Sequence, residues 1–165
     1  MGEAKFVRVL RALREWGVRF VLVNELAAAL QGSPCEMLKL DIVPARDEEN
    51  LSRLLRVLDS IDAIYRIQPA RRLKPDMSHL RSAGHQNLLT KFGPLDVLGT
   101  IGRGLTYEDL LPHSVEMKFS EGLHVKVLDL PTIIAVKEEL QGEKDLAVLS
   151  ILRRTLEEKR RTESQ

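Results

Sequence analysis

A single cysteine, Cys35, is all the chain has, so no internal disulfide can form. Neither sign of charge dominates: 25 Lys and Arg stand against 24 Asp and Glu, and the net charge of +1 removes the electrostatic case for a general binder of nucleic acid or anionic membrane. No apolar run approaches the ~18 residues of a membrane span. A signal-peptide core is also missing, because the N-terminal segment alternates charged with apolar side chains. Met1-Gly2 fails as a myristoylation signal, since Phe6 stands where Ser or Thr is needed. These absences predict a soluble, cytoplasmic chain with no membrane partner. At 165 residues it is long enough to bury one core without disulfides.

What is present is periodic. Phe6, Leu10 and Leu13 lie at helical spacing with Arg8, Arg11 and Arg14 between them, predicting an amphipathic helix near 4–16 that Gly17 stops. Val18 to Val23 predicts a short buried strand, and Leu26 to Leu30 a short helix ended by Gly32-Ser33-Pro34. Leu38 to Val43 alternates and stops at Pro44, with Lys39, Asp41 and Val43 on one face. Asp47, Glu48 and Glu49 load the first turn of a helix whose core stripe is Leu51, Leu54, Leu55, Leu58 and Ile61. Residues 68–84 read as a basic, loop-like, mobile flap. His85 to Phe92 and Leu95 to Leu98 are short strands separated by Gly93-Pro94, and Thr106 to Asp109 is a capping-box pattern opening a helix that Pro112 ends. A hairpin turns at Ser120-Glu121-Gly122, between Ser114 to Phe119 and Leu123 to Leu128. One helix from Pro131 to about Leu140 and another from about Asp145 into the charged tail complete a single α/β or α+β domain with a small mixed sheet.

Two acids stand inside apolar strand segments, Asp41 and Asp96. On neighbouring strands they would form a site for a hard divalent cation such as Mg²⁺, which takes carboxylate oxygen near phosphates; taken singly, either equally fits the cap of a strand end. Lys137 shares a helical face with Ile133, Ile134 and Leu140, so it is expected to point inward. There it either pairs with Asp145 or, with Lys144 nearby, reaches a phosphate at the mouth of the sheet; ordinary exposure is the third possibility.

Val21-Leu22-Val23, Leu26-Ala27-Ala28, Gly32-Ser33-Pro34 and Asp41-Ile42-Val43-Pro44 together resemble the nucleotidyltransferase fold, in particular small bacterial AbiEii-like and minimal nucleotidyltransferases. Gly93 to Gly99 is similar to the strand that carries the third carboxylate in that family, and Lys137 through Lys144-Asp145 to its C-terminal lysine and aspartate motif. The resemblance implies an α/β fold in which helices flank a small mixed sheet, as a single domain over 1–165 with a helical, charged tail. It also implies metal-assisted transfer of a nucleoside monophosphate from a nucleoside triphosphate to an acceptor hydroxyl. Asp41 and Asp96 would then hold Mg²⁺, and Asn24, Glu25, Ser33, Lys137, Lys144 and Asp145 would surround the nucleotide.

The chain departs from this pattern twice. Active members place two glycines, or glycine and serine, after the first strand; here Asn24-Glu25 stands there. Asn24 is expected to cap the following helix, and Glu25 to stabilise its positive end while repelling phosphate. Active members also carry Asp-x-Asp on the second strand, and here the first acid is Lys39. A pair of unit charges ~4 Å apart interacts by ~4 kcal/mol at an effective dielectric of ~20, so the reversal opposes metal binding by several times that figure. Lys39 is expected to stand where the cation would be and to neutralise Asp41 and Asp96.

Other residues suggest less. His79, His85, His113 and His124 lack metal-ligand spacing with Cys35, Cys35 has no neighbour that would lower its pKa, and the basic tail is diluted by Glu157 and Glu158. Three functions remain in view. One is a nucleotidyltransferase-like protein with an impaired metal site that binds a nucleotide, an RNA or a protein partner. Another is a working nucleotidyltransferase of toxin-antitoxin type, with Lys39 on the triphosphate or one metal on the two aspartates. The last is an interaction domain whose contact surface is the basic segment 66–81.

Overall fold

A computed structural model describes residues 5–33, 39–120, 122–140 and 143–163, with the side chains of 120 and 143–147 outside the description. Helix α1 (Lys5–Glu15) buries Val9, Leu10 and Leu13. It ends because Gly17 adopts φ 72°, which lets Val18 N–H return to the Leu13 carbonyl and turns the chain into strand β1 (Phe20–Val23). Then follow α2 (Asn24–Leu30), β2 (Leu40–Pro44), α3 (Glu48–Ser60), β3 (Ile64–Tyr65), α4 (Met77–Arg81), β4 (His85–Thr90) and β5 (Gly93–Leu98). The C-terminal part is α5 (Tyr107–Leu110), β6 (Ser114–Ser120), β7 (Leu123–Leu128), α6 (Leu130–Leu140) and α7 (Glu143–Glu163).

The seven strands form one mixed sheet in the order β3-β4-β5-β2-β1-β7-β6. At its centre β1 runs antiparallel to β2 and parallel to β7, while β2 runs parallel to β5. All residues of β1 and β2 are buried, as expected where helices cover both faces. Ala27 and Ala28 are small enough to let α2 lie close on β1, β2 and β7, and α2 also packs against α6. The α/β class and the mixed sheet flanked by helices are as the sequence implied.

Four local expectations are corrected. The segment 68–84 holds a 3-10 turn at Pro69–Arg71 and helix α4. That helix opens on a capping box in which Asp76 accepts the His79 N–H and the His79 ring accepts the Asp76 N–H. Gly93 and Pro94 do not separate strands but begin β5, pairing with Thr90 and Leu89. The turn is Lys91-Phe92, closed by Thr90 Oγ1, which accepts from Phe92 N–H at 3.0 Å and donates to the Gly93 carbonyl at 2.8 Å. Pairing with β2 starts only at Leu95, so the missing Pro94 N–H interrupts no bond on that side. On α6, Leu140 is 54% exposed, and the inward residues are Leu130, Ile133, Ile134 and Val136. Finally, Asn24 does not cap α2: Val23 occupies the cap position and the Asn24 side chain is used elsewhere.

Candidate functional site

The parallel register of β2 and β5 sets Asp41 directly beside Asp96, on one face of the sheet. Both residues are only 5% exposed. Lys39, two residues before Asp41, shares that face, and its Nζ lies 2.8 Å from Asp96 Oδ2 and 3.7 Å from Asp41 Oδ1. Arg66, just after β3, bonds its own N–H to the Asn87 carbonyl, and Asn87 is the register partner of Asp96. Its guanidinium therefore reaches Asp96 Oδ1 at 2.9 Å and the Leu88 carbonyl at 2.8 Å. Asn24 follows Val23, the β1 partner of Asp41, and its Nδ2 donates to Asp41 Oδ2 at 2.6 Å. Its φ of 61° is left-handed, a conformation asparagine tolerates better than most residues.

Charge balances within the group: two carboxylates, one ammonium and one guanidinium. Asp96 has a cation on each oxygen. Asp41 has an amide on one oxygen, while its Oδ1 is buried and accepts no hydrogen bond. Burial pushes the Asp41 carboxyl above the usual carboxylate range, with Asp96 and Glu25 adding to the rise and Asn24 and Lys39 opposing it. Partial burial works against the Lys39 ammonium, but the bond to Asp96 and the charges of Asp41, Asp96 and Glu25 outweigh it and raise its pKa.

These donors do not suit a divalent cation as they stand. Mg²⁺ needs a near-octahedral oxygen shell. Three of the four aspartate oxygens already accept from Arg66, Lys39 and Asn24, and the fourth faces an ammonium group. Among the described residues no group of three or more His, Cys, Asp or Glu is placed to hold a metal ion.

The residues suggested for a nucleotide are partly gathered. Asn24, Glu25, Ser33 and Lys137 line one cleft with Ile133 and Leu152, but its volume is about 20 Å³. That accommodates roughly one water, against the ~300 Å³ or more of a typical small-molecule site. A larger cleft of about 370 Å³ lies between α3 and Lys74-Pro75 and contains none of these residues. The side chains of Lys144 and Asp145, and Cys35 entirely, fall outside the described residues. His79, His85, His113 and His124 are all exposed.

Sequence reasoning missed Arg66 as a member of the cluster and mistook the use of Asn24. Arg66 carries no local signal, since its role depends on β3 pairing with β4. Asn24 did carry one: asparagine where the pattern it resembles has glycine points to a left-handed backbone.

No protein-family model matches the chain, and no curated protein matches it significantly. Among solved structures, a protein from Thermotoga maritima described as a "putative nucleotidyltransferase" is similar with a TM-score of 0.55 and 18% identity, over 96% of this chain and 96% of that one. So low an identity speaks to architecture alone: with its seven-stranded mixed sheet, this chain has a nucleotidyltransferase-like fold.

Proposed function

We propose that the chain is a nucleotidyltransferase-like protein in which Lys39 and Arg66 neutralise the paired aspartates that active relatives use for metal, and that it works by binding a nucleotide, an RNA or a protein partner. The observation that carries this reading is the Lys39 ammonium at 2.8 Å from Asp96 and 3.7 Å from Asp41. An internal cation there removes the charge that would attract Mg²⁺, and a +2 ion beside it would meet repulsion. Glu25 in the first turn of α2 adds a negative charge where a triphosphate would otherwise approach helix N–H groups.

A specific observation favours a second reading. Asp41 Oδ1 is a buried, unbonded carboxylate oxygen, the kind of atom that one cation could claim if Lys39 swung away. The protein would then be a working nucleotidyltransferase, of the AbiEii-like toxin-antitoxin kind, acting on an RNA or protein hydroxyl. Calorimetric titration of ATP with and without Mg²⁺ decides between them. The first reading predicts no Mg²⁺-dependent gain in affinity; tight binding only in the presence of Mg²⁺ overturns it in favour of the second.

A further inference from the structure

The two edges of the sheet differ. β3 is two residues long, whereas β6 spans seven and pairs with β7 alone among the described residues. No proline or glycine interrupts β6, and such an edge offers a row of backbone donors and acceptors to another strand. Its sequence is Ser114-Val115-Glu116-Met117-Lys118-Phe119-Ser120, which reads the same in residue class from either end, except that the signs of charge exchange. In an antiparallel pair centred on Met117, Glu116 of one copy falls opposite Lys118 of the other, and Val115 falls opposite Phe119.

We propose that β6 is the seam of a two-fold dimer of this chain, in which two β6 strands pair antiparallel about Met117 and join two sheets into one. Side chains support this. Glu116 and Lys118 are exposed and lie on the face shared with the exposed β7 residues Lys126 and His124. On the other face Val115 is 41% exposed although its β7 partner Val127 is fully buried. A second copy would cover Val115 beside its Phe119, which sits at the register shift and whose ring already packs edge-on against Phe6 at 6.2 Å. Opposite charges directly across a strand pair stabilise and like charges destabilise, so the Glu–Lys exchange fixes both partner and register. The register shift between Lys118 and Ser120 confines regular pairing to the middle of the strand. A seam this short falls below the ~1,600 Å² of a standard interface, and association is expected to be weak and concentration-dependent.

Sedimentation velocity from ~1 to ~500 µM tests this, a range that brackets weak association. The wild-type chain should shift from monomer to dimer across the range. Glu116→Lys and Lys118→Glu, each confirmed folded by circular dichroism, should each weaken dimerisation at least about tenfold, because every facing pair then carries like charge. Mixing the two variants should form a heterodimer, and the double exchange E116K/K118E should restore the homodimer. A wild-type chain that stays monomeric throughout overturns the proposal and leaves the edge to a strand of another protein. So do single reversals that dimerise like the wild type, or a mixture that fails to associate.

Discussion

Two buried polar groups flank the central strand pair, one at each end of β1, and they are built on opposite terms. At the start of β1, Asn50 is 1% exposed; its Oδ1 accepts from Arg19 N–H at 2.8 Å, and its Nδ2 donates to the carbonyls of Arg19 at 3.0 Å and Ala45 at 2.7 Å. That group is uncharged and its side-chain capacity is used. At the other end Asp41, Asp96, Lys39 and Arg66 are charged, and Asp41 Oδ1 is left without a hydrogen bond. A satisfied neutral amide ties α3 to the sheet and needs nothing more. An under-satisfied charged cluster costs stability, and that cost is what the proposed function accounts for.

The contrast can be broken from either end. Replacing Asn50 by Ala should have the largest effect, about 2–4 kcal/mol of lost stability by denaturant unfolding, since it strands buried backbone groups of Arg19 and Ala45. It should leave the chemistry of the aspartate cluster untouched. Next, Lys39→Met should cost about 1–3 kcal/mol; breaking a buried pair costs more, but the Lys39 side chain is 34% exposed and partly screened.

The second loss should also depend on pH. Without Lys39 the Asp41 carboxyl loses a positive charge that opposes its upward shift, so its pKa should move further up, and the deficit should be greatest near neutrality and shrink as acid protonates it. The wild-type protein carries a weaker form of the same behaviour. The Asp41 pKa is raised by burial, so its contribution is favourable below the ordinary carboxylate range and is lost as pH rises through the raised value. The Lys39 pKa is also raised, so its contribution holds through neutrality and is lost only at alkaline pH above the raised value. Unfolding curves for both proteins across pH check these signs. The smallest expected effect has the opposite sign: Asp41→Asn should stabilise by up to about 1 kcal/mol at neutral pH, because it removes a buried charge that is disfavoured there.

What the sequence revealed follows the same divide. Periodicity and turn chemistry are local, so the α3 stripe, the Thr106 capping box and the β6–β7 hairpin could be read directly from residues a few positions apart. The acids Asp41 and Asp96 stood out because charge is rare inside an apolar strand. What escaped was tertiary. The two residues of β3 are too few for a periodic signal, and α4 caps itself with His79 where a glutamate or glutamine would have been recognised. Arg66 joins the site only through strand pairing, and Asn50 looks like any polar residue in the first turn of α3.

The central claim is that the Lys39 ammonium takes the place a divalent cation would need. Titrating manganese into the protein while following the free-ion signal by electron paramagnetic resonance tests it most directly. The account predicts no stoichiometric binding to the wild-type chain. One tightly held equivalent that disappears in Asp41→Asn would contradict it.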